Sequence, residues 1–190
     1  MQSIDWLIEH MQACIADGRR PVVIEGWGRA EILGVEVRGK ADRIDRTREG
    51  KLVIVDYKTG KPPSNKSVVE GYSLQLGLLG LLAAEGGFDP IADDQQAKVK
   101  GAAEGFEYWS LAKKQGTQDF GYVTEPTKGK NDLTADNMVP IARGHLEEAI
   151  AAWILGDAPF TAKLHPDYAP YADYDHLMRV AEWYGREGGK

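Results

Sequence analysis

Gly39-Lys40-Ala41-Asp42-Arg43-Ile44-Asp45, the turn Arg48-Glu49-Gly50, and Leu52-Val53-Ile54-Val55-Asp56-Tyr57-Lys58-Thr59-Gly60 form the stretch that decides the fold. The apolar runs on either side of the turn predict strands over 35–44 and 52–58. A connection this short rules out a parallel crossover, so the two strands are expected to pair antiparallel. Side chains alternate faces along a strand. That alternation predicts Arg38, Lys40 and Asp42 on one face of the first strand. On the second it puts Asp56 and Lys58 on one face, with Tyr57 opposite. Asp42 and Asp56, on the same side of neighbouring strands, would bring their carboxylates close together. Two carboxylates and a lysine at a sheet end suit a hard divalent cation, Mg²⁺ or Mn²⁺. Such an ion polarises a phosphoryl oxygen and lowers the pKa of its bound water. Asp45 stands an odd number of residues from Asp42 and is expected to point away, as a structural or outer residue. Asp followed by Thr-Gly is also ordinary turn chemistry. The whole arrangement favours the catalytic reading: two acid-bearing strands, a loop, then a helix containing Gln75.

Working outward, residues 3–17 carry Ile4, Leu7, Ile8, Met11 and Ile15 at helical spacing. Ser3 can cap that helix and Asp17-Gly18 can stop it. Residues 21–32 predict one more strand, completing an antiparallel meander. Residues 59–65 are a loop by composition. Residues 67–85 read as one long helix, apolar around most of its surface, hence buried, and too short to span a membrane. Residues 89–100 read as a polar, mobile connection, 105–111 as a strand, and 113–131 as a Gly-rich excursion. Residues 134–155 read as a helix whose first turn Pro140 ends or bends. Its expected buried stripe is Ala142, Leu146, Ala149, Ile150 and Trp153. A short aromatic helix is expected over 174–184. The order α-β-β-β-α-β-α defines an α/β fold with a mixed sheet flanked by helices.

The chain has 190 residues, 43% hydrophobic and 27% charged, enough to bury a core without disulfides. Its single cysteine, Cys14, excludes an internal disulfide, a zinc ribbon and an iron–sulfur cluster ligated within this chain. No apolar run approaches a membrane span, and the acidic, amphipathic start does not read as a signal peptide. A cytoplasmic location is the expectation. The net charge of −6 argues against a purely electrostatic nucleic-acid binder. Between Arg19 and Glu70, however, twelve Lys/Arg face eight Asp/Glu, which fits a locally basic face or chance clustering on a solvated surface. His145 reads as a surface histidine, and His165 precedes Pro166 in a loop. His176 with Asp173 and Asp175 reads as packing or partner contact rather than a metal cluster. The five tryptophans read as core or interface anchors.

The run GKADRID, then VDYKTG, then Gln75-Leu76 resembles the RecB-type nuclease signature of the PD-(D/E)XK superfamily. NKSVVEGYSLQL, FEYWSL and YADYDHLMRVAEW resemble the C-terminal nuclease domain of AddB subunits of AddAB helicase–nucleases, in their alphaproteobacterial form. The resemblance runs from about Glu25 to the end of the chain and implies a PD-(D/E)XK restriction-endonuclease-like core. It implies a nuclease core over 1–160 and a tail over 161–190 whose short helix packs on the core or a partner. The implied activity is Mg²⁺-dependent exonuclease action at DNA double-strand ends, beside an AddA-type subunit.

Carried onto this chain, the resemblance makes Asp42 and Asp56 the metal-binding acids and Lys58 the catalytic lysine. Tyr57 offers its backbone carbonyl to the metal. Gln75 orients the lysine or touches DNA, and Arg38, Lys40, Thr59 and Tyr72 are the implied DNA contacts. Leu79 stands where the family has a tyrosine four residues after the glutamine, and Tyr72 lies one turn earlier. Bacillus-type relatives hold an iron–sulfur cluster on four cysteines, which this chain lacks. The family's upstream metal-binding histidine is expected outside this chain, because His10 precedes the strands too closely. A catalytically incomplete scaffold that guides DNA or docks the partner is the competing reading.

Overall fold

The computed structural model describes residues 2–91, 97–128 and 132–159. It opens with helix α1 (Gln2–Ala16), followed by strands β1 (Arg20–Ile32), β2 (Val35–Arg46) and β3 (Leu52–Lys58). Helices α2 (Asn65–Val69) and α3 (Gln75–Glu85) come next, then β4 (Ala103–Lys113), β5 (Phe120–Thr124) and α4 (Ala135–Ala149). Two compact units divide at 148/149; the described part of the second contains a π-helical turn, Ile150–Ile154. The strands form one mixed sheet in the order β1-β2-β3-β4-β5. All neighbours pair antiparallel except β3 and β4, which run parallel and are joined through α2 and α3. A parallel pair needs such a crossover.

Leu33 and Gly34 join β1 to β2 with φ of 50° and 77°, both left-handed, as the tight turns that suit twisted hairpins require. The sheet buries both faces around β3. On one face Val53, Val55 and Trp109 form a core with Cys14, onto which Trp6, Leu7 and Met11 of α1 pack. On the other, Ile44, Ile54 and Phe106 are fully buried, and Gly80 of α3 lies against the Phe106 ring. Gly77 and Gly80 let α3 approach α4: a Cβ at Gly77 would stand 2.6 Å from the Ala142 Cβ, and one at Gly80 2.8 Å from Val139. Each glycine costs about 1 kcal/mol of helix propensity, which close packing offsets.

Several sequence expectations change. The helix expected over 67–85 is two helices, broken where Gly71 takes φ +86°. Hence Gln75 opens α3 instead of lying in its middle. The excursion at 113–131 contains β5, which pairs with β4 from Tyr108↔Thr124 to Lys113↔Phe120. The ends of 89–100 are held in place: Phe88 and Val99 exchange both backbone hydrogen bonds and are buried, with Phe88 under Gly28. Pro140 does not end α4, which runs through it. Along that helix Met138 and Ala142 are buried, while Trp153, beyond it, is 37% exposed. Trp27 is exposed, which leaves the interface half of its expected role. The expected tail helix, its boundary at 160/161, and the Asp173, Asp175 and His176 group lie outside the described residues.

Candidate active site

The β2–β3 ladder runs from Arg46↔Leu52 to Arg43↔Val55 and stops there, although β3 stays paired with β4 as far as Lys58↔Ser110. The next backbone donor of β3 exposed by this divergence, Tyr57 N–H, donates to Asp42 Oδ2 at 3.0 Å. Asp42 thus fills the opening with a side chain where a strand would have offered a carbonyl. Its carboxyl lies close enough to Asp56 to act on that group's ionisation. Asp56 is 2% exposed. Burial raises its pKa above the ordinary carboxylate range; the Lys58 ammonium pulls it down, and Asp42 pushes it further up.

Lys58 Nζ stands 2.6 Å from Asp56 Oδ2. The ammonium is the ion-pair partner of this buried oxygen, to which no further donor is directed among the described residues. Lys58 donates to Gln75 Oε1 at 2.9 Å, a contact made possible by the break that sets Gln75 at the start of α3. The ammonium also lies over the Tyr108 ring, 5.6 Å from its centroid. Tyr57 turns its own ring to the other face, against Trp109, as alternation requires.

The structure therefore brings together Asp42, Asp56, Lys58 and Gln75, with the Tyr57 backbone between the acids. It does not gather Arg38 and Lys40 with them. Gly39 lies against Leu79 and Leu82 of α3, so its neighbours Arg38 and Lys40 leave by the opposite face. They pair there with Glu36 and Glu25. The expected common face with Asp42 fails because the alternation slips beside it. Glu25 and Asp42 are left out of the β1–β2 ladder between Ile24↔Arg43 and Gly26↔Ala41. Glu25 takes φ 50°, and Val23 and Gly26 consequently share one face. Leu79 is buried against Gly39, which makes it a packing residue. Thr59 and Tyr72 are exposed.

Asp45 does point away, to the α1 face, where it accepts from Arg19 and Arg43. His10 is on that face too, stacked on Trp6 and edge-on to Trp109. Sequence reasoning missed Tyr108: its place in FEYWSL marks a strand, and only the register opposite Asp56 shows what it touches.

The donor set fits a divalent cation. A buried carboxylate oxygen without a hydrogen bond, beside a second carboxylate, is a cation ligand in waiting, and Mg²⁺ needs only one or two protein carboxylates besides water. Among the described residues no group of three or more His, Cys, Asp or Glu is placed to hold a metal, so water and backbone would complete the shell.

A mixed five-stranded sheet flanked by helices, with paired acids and a lysine where two strands diverge, defines a class of α/β nuclease. The model of the PD-(D/E)XK nuclease superfamily matches residues 4–173, and the chain belongs to that superfamily, whose members are generally nucleases using Mg²⁺ or Mn²⁺. An uncharacterized protein of Rickettsia conorii is 39% identical over 66 residues, and one of Rickettsia typhi 38% over 68. These matches cover 34% and 35% of this chain and 8% of each relative's length. The crystal structure of SSO0001 aligns over 82% of this chain and 60% of that one, at 16% identity and a TM-score of 0.34. No helix among the described residues is long and apolar enough to cross a membrane.

Proposed function

We propose that this chain is a Mg²⁺- or Mn²⁺-dependent deoxyribonuclease, an exonuclease acting at DNA double-strand ends. In this reading it is the nuclease part of an AddB-type subunit, works beside an AddA-type helicase–nuclease, and acts in the cytoplasm. The supporting observation is Asp56 Oδ2: buried, without a hydrogen bond, facing Asp42 and Lys58. A buried carboxylate beside a second acid is costly to a fold unless positive charge offsets it, and burial with Asp42 outweighs what Lys58 supplies.

Asp42, Asp56 and the Tyr57 carbonyl would hold the cation, which when bound supplies a polarised phosphoryl oxygen and a more acidic water. In the hydrolysis the water oxygen bonds to phosphorus and gives up a proton to solvent, the ester P–O bond breaks, and the leaving oxygen takes up a proton from solvent. Lys58 offsets charge developing on the phosphoryl oxygens and positions the attacking water by hydrogen bonding. Gln75 accepts from Lys58 and fixes where that ammonium stands. Thr59 and Tyr72, exposed next to the Lys58 and Gln75 segments, are the proposed DNA contacts.

The test is degradation of end-labelled linear duplex DNA by the full-length subunit with its helicase partner, with and without Lys58→Ala. The expected loss of cleavage rate is about 10²–10³-fold, with unwinding retained, since lysine is no ligand for Mg²⁺. Degradation at the normal rate would leave the domain as a scaffold that guides DNA or docks the partner.

A further inference from the structure

We propose that Tyr108 is a positioning residue for Lys58, its ring serving as the floor on which the ammonium rests between Asp56 and Gln75. The inference rests on the nuclease reading above and deepens it. Tyr108 is completely buried on β4, directly across the parallel ladder from Asp56. The separation of 5.6 Å between Lys58 Nζ and the ring centroid is within the reach of a cation–π attraction, about 6 Å.

Three groups of different chemistry therefore surround the ammonium: the Asp56 carboxylate at 2.6 Å, the Gln75 carbonyl oxygen at 2.9 Å, and the ring. A lysine stem is flexible and its ammonium strongly hydrated, so a single partner fixes it poorly. The Asp56 contact is also the one that a cation would compete for. With that carboxylate engaged, Gln75 and the ring remain to hold Lys58.

The ring carries the effect, and the hydroxyl does not. Tyr108 Oη is buried with no hydrogen-bond partner. Burial, and then the Asp56 charge, push the phenol pKa upward, so the ring stays neutral beside the acids. Phenylalanine should accordingly serve as well as tyrosine.

Two measurements test this. In metal-free protein, trace acylation with acetic anhydride, read by mass spectrometry, reports how freely Lys58 reacts relative to Lys51. The full subunit–partner assembly then gives kcat and KM for DNA degradation in a Tyr108/Lys58 double-mutant cycle. Tyr108→Phe should match wild type in both. Tyr108→Leu should raise Lys58 acylation severalfold and lower kcat about tenfold, with KM little changed. In the Lys58→Ala background Tyr108→Leu should cost nothing further. Tyr108→Met, closer in volume, replaces the leucine variant if the smaller side chain prevents folding. Unchanged Lys58 acylation in both ring-deleted variants would overturn the inference. So would an equal loss of kcat with and without Lys58. If Lys58→Ala alone cuts at the normal rate, the nuclease reading fails, while the acylation arm still reports whether the ring holds the ammonium.

Discussion

On the α1 side of the β3–β4 pair, Asp45 and Glu107 sit against Arg19 and Arg43; on the α3 side, Asp56 sits against Lys58, with Asp42 beside it. Asp45 uses both oxygens, accepting from Arg19 Nε and Nη2 at Oδ2 and from Arg43 Nε at Oδ1. Glu107 accepts from Arg19 Nη1 and from the Trp109 indole N–H. Two acids meet two guanidiniums, and α1 closes over them with Trp6 and Cys14. Arg43 keeps two buried nitrogens without hydrogen bonds, but its guanidinium lies 4.9 Å from the Trp109 ring centroid. On the α3 side one ammonium, Lys58, pairs with Asp56, and Asp42 stands beside that carboxyl with the Tyr57 N–H as its donor. Similar residue types thus make a closed structural cluster on one face and an electrostatically incomplete one on the other. Incompleteness of that kind is where a cation and a substrate phosphate gain the most.

Removing an acid should therefore have opposite effects on the two faces. Asp45→Ala strands Arg19 and Arg43 in a buried setting, and breaking a buried ion pair from one side costs about 3–5 kcal/mol. Urea denaturation of the variant should show that loss, and a loss under about 1 kcal/mol would break the contrast. Asp56→Asn removes a carboxylate that burial and Asp42 already disfavour, and its amide can donate to Asp42. In metal-free buffer at neutral pH its melting temperature should equal or exceed that of wild type. A raised folded pKa means stability is lost as pH rises through it, so the advantage of asparagine should shrink on acidification, as wild-type Asp56 takes up its proton. A clear destabilisation at neutral pH would make Asp56 a structural residue like Asp45.

The smallest expected effect belongs to His10 on the closed face. Burial is the largest influence on its pKa and lowers it below the ordinary histidine value of 6.5. The unfolded chain then binds the proton more readily, so stability should fall as pH drops below about 6.5 toward the folded pKa. Thermal melts of wild type and His10→Gln between pH 5 and 7.5 check this: the variant's curve should be flatter. Identical pH dependence would remove His10 as the titrating group.

The two acid-bearing strands were legible because short turns and a period of two leave few alternatives, and Asp45 pointed away as the same rule requires. The rule failed one residue from the site. The slip that separates Lys40 from Asp42 depends on Glu25 taking a left-handed φ, and glutamate carries no signal for that conformation. The split between α2 and α3 hid for a related reason: glycines occur at 71, 77 and 80, yet only Gly71 breaks the helix, while the others fit against α4. β5 is five residues long in polar surroundings, and its Gly121 is needed where the Trp6 ring lies against the strand. That demand is tertiary and leaves no local pattern. The role of Tyr108 depends on parallel register, which no local stretch encodes.

The cation site proposed at the α3-side opening stands on Asp42 and Asp56. Calorimetric titration of Mn²⁺ into the wild-type protein, Asp56→Asn and Glu107→Gln tests it most directly. Glu107 belongs to the closed face, and its glutamine variant keeps an acceptor for Trp109. Binding heat in wild type and Glu107→Gln, with none in Asp56→Asn, is the predicted result. Equal binding in all three proteins, or none in wild type, would contradict it.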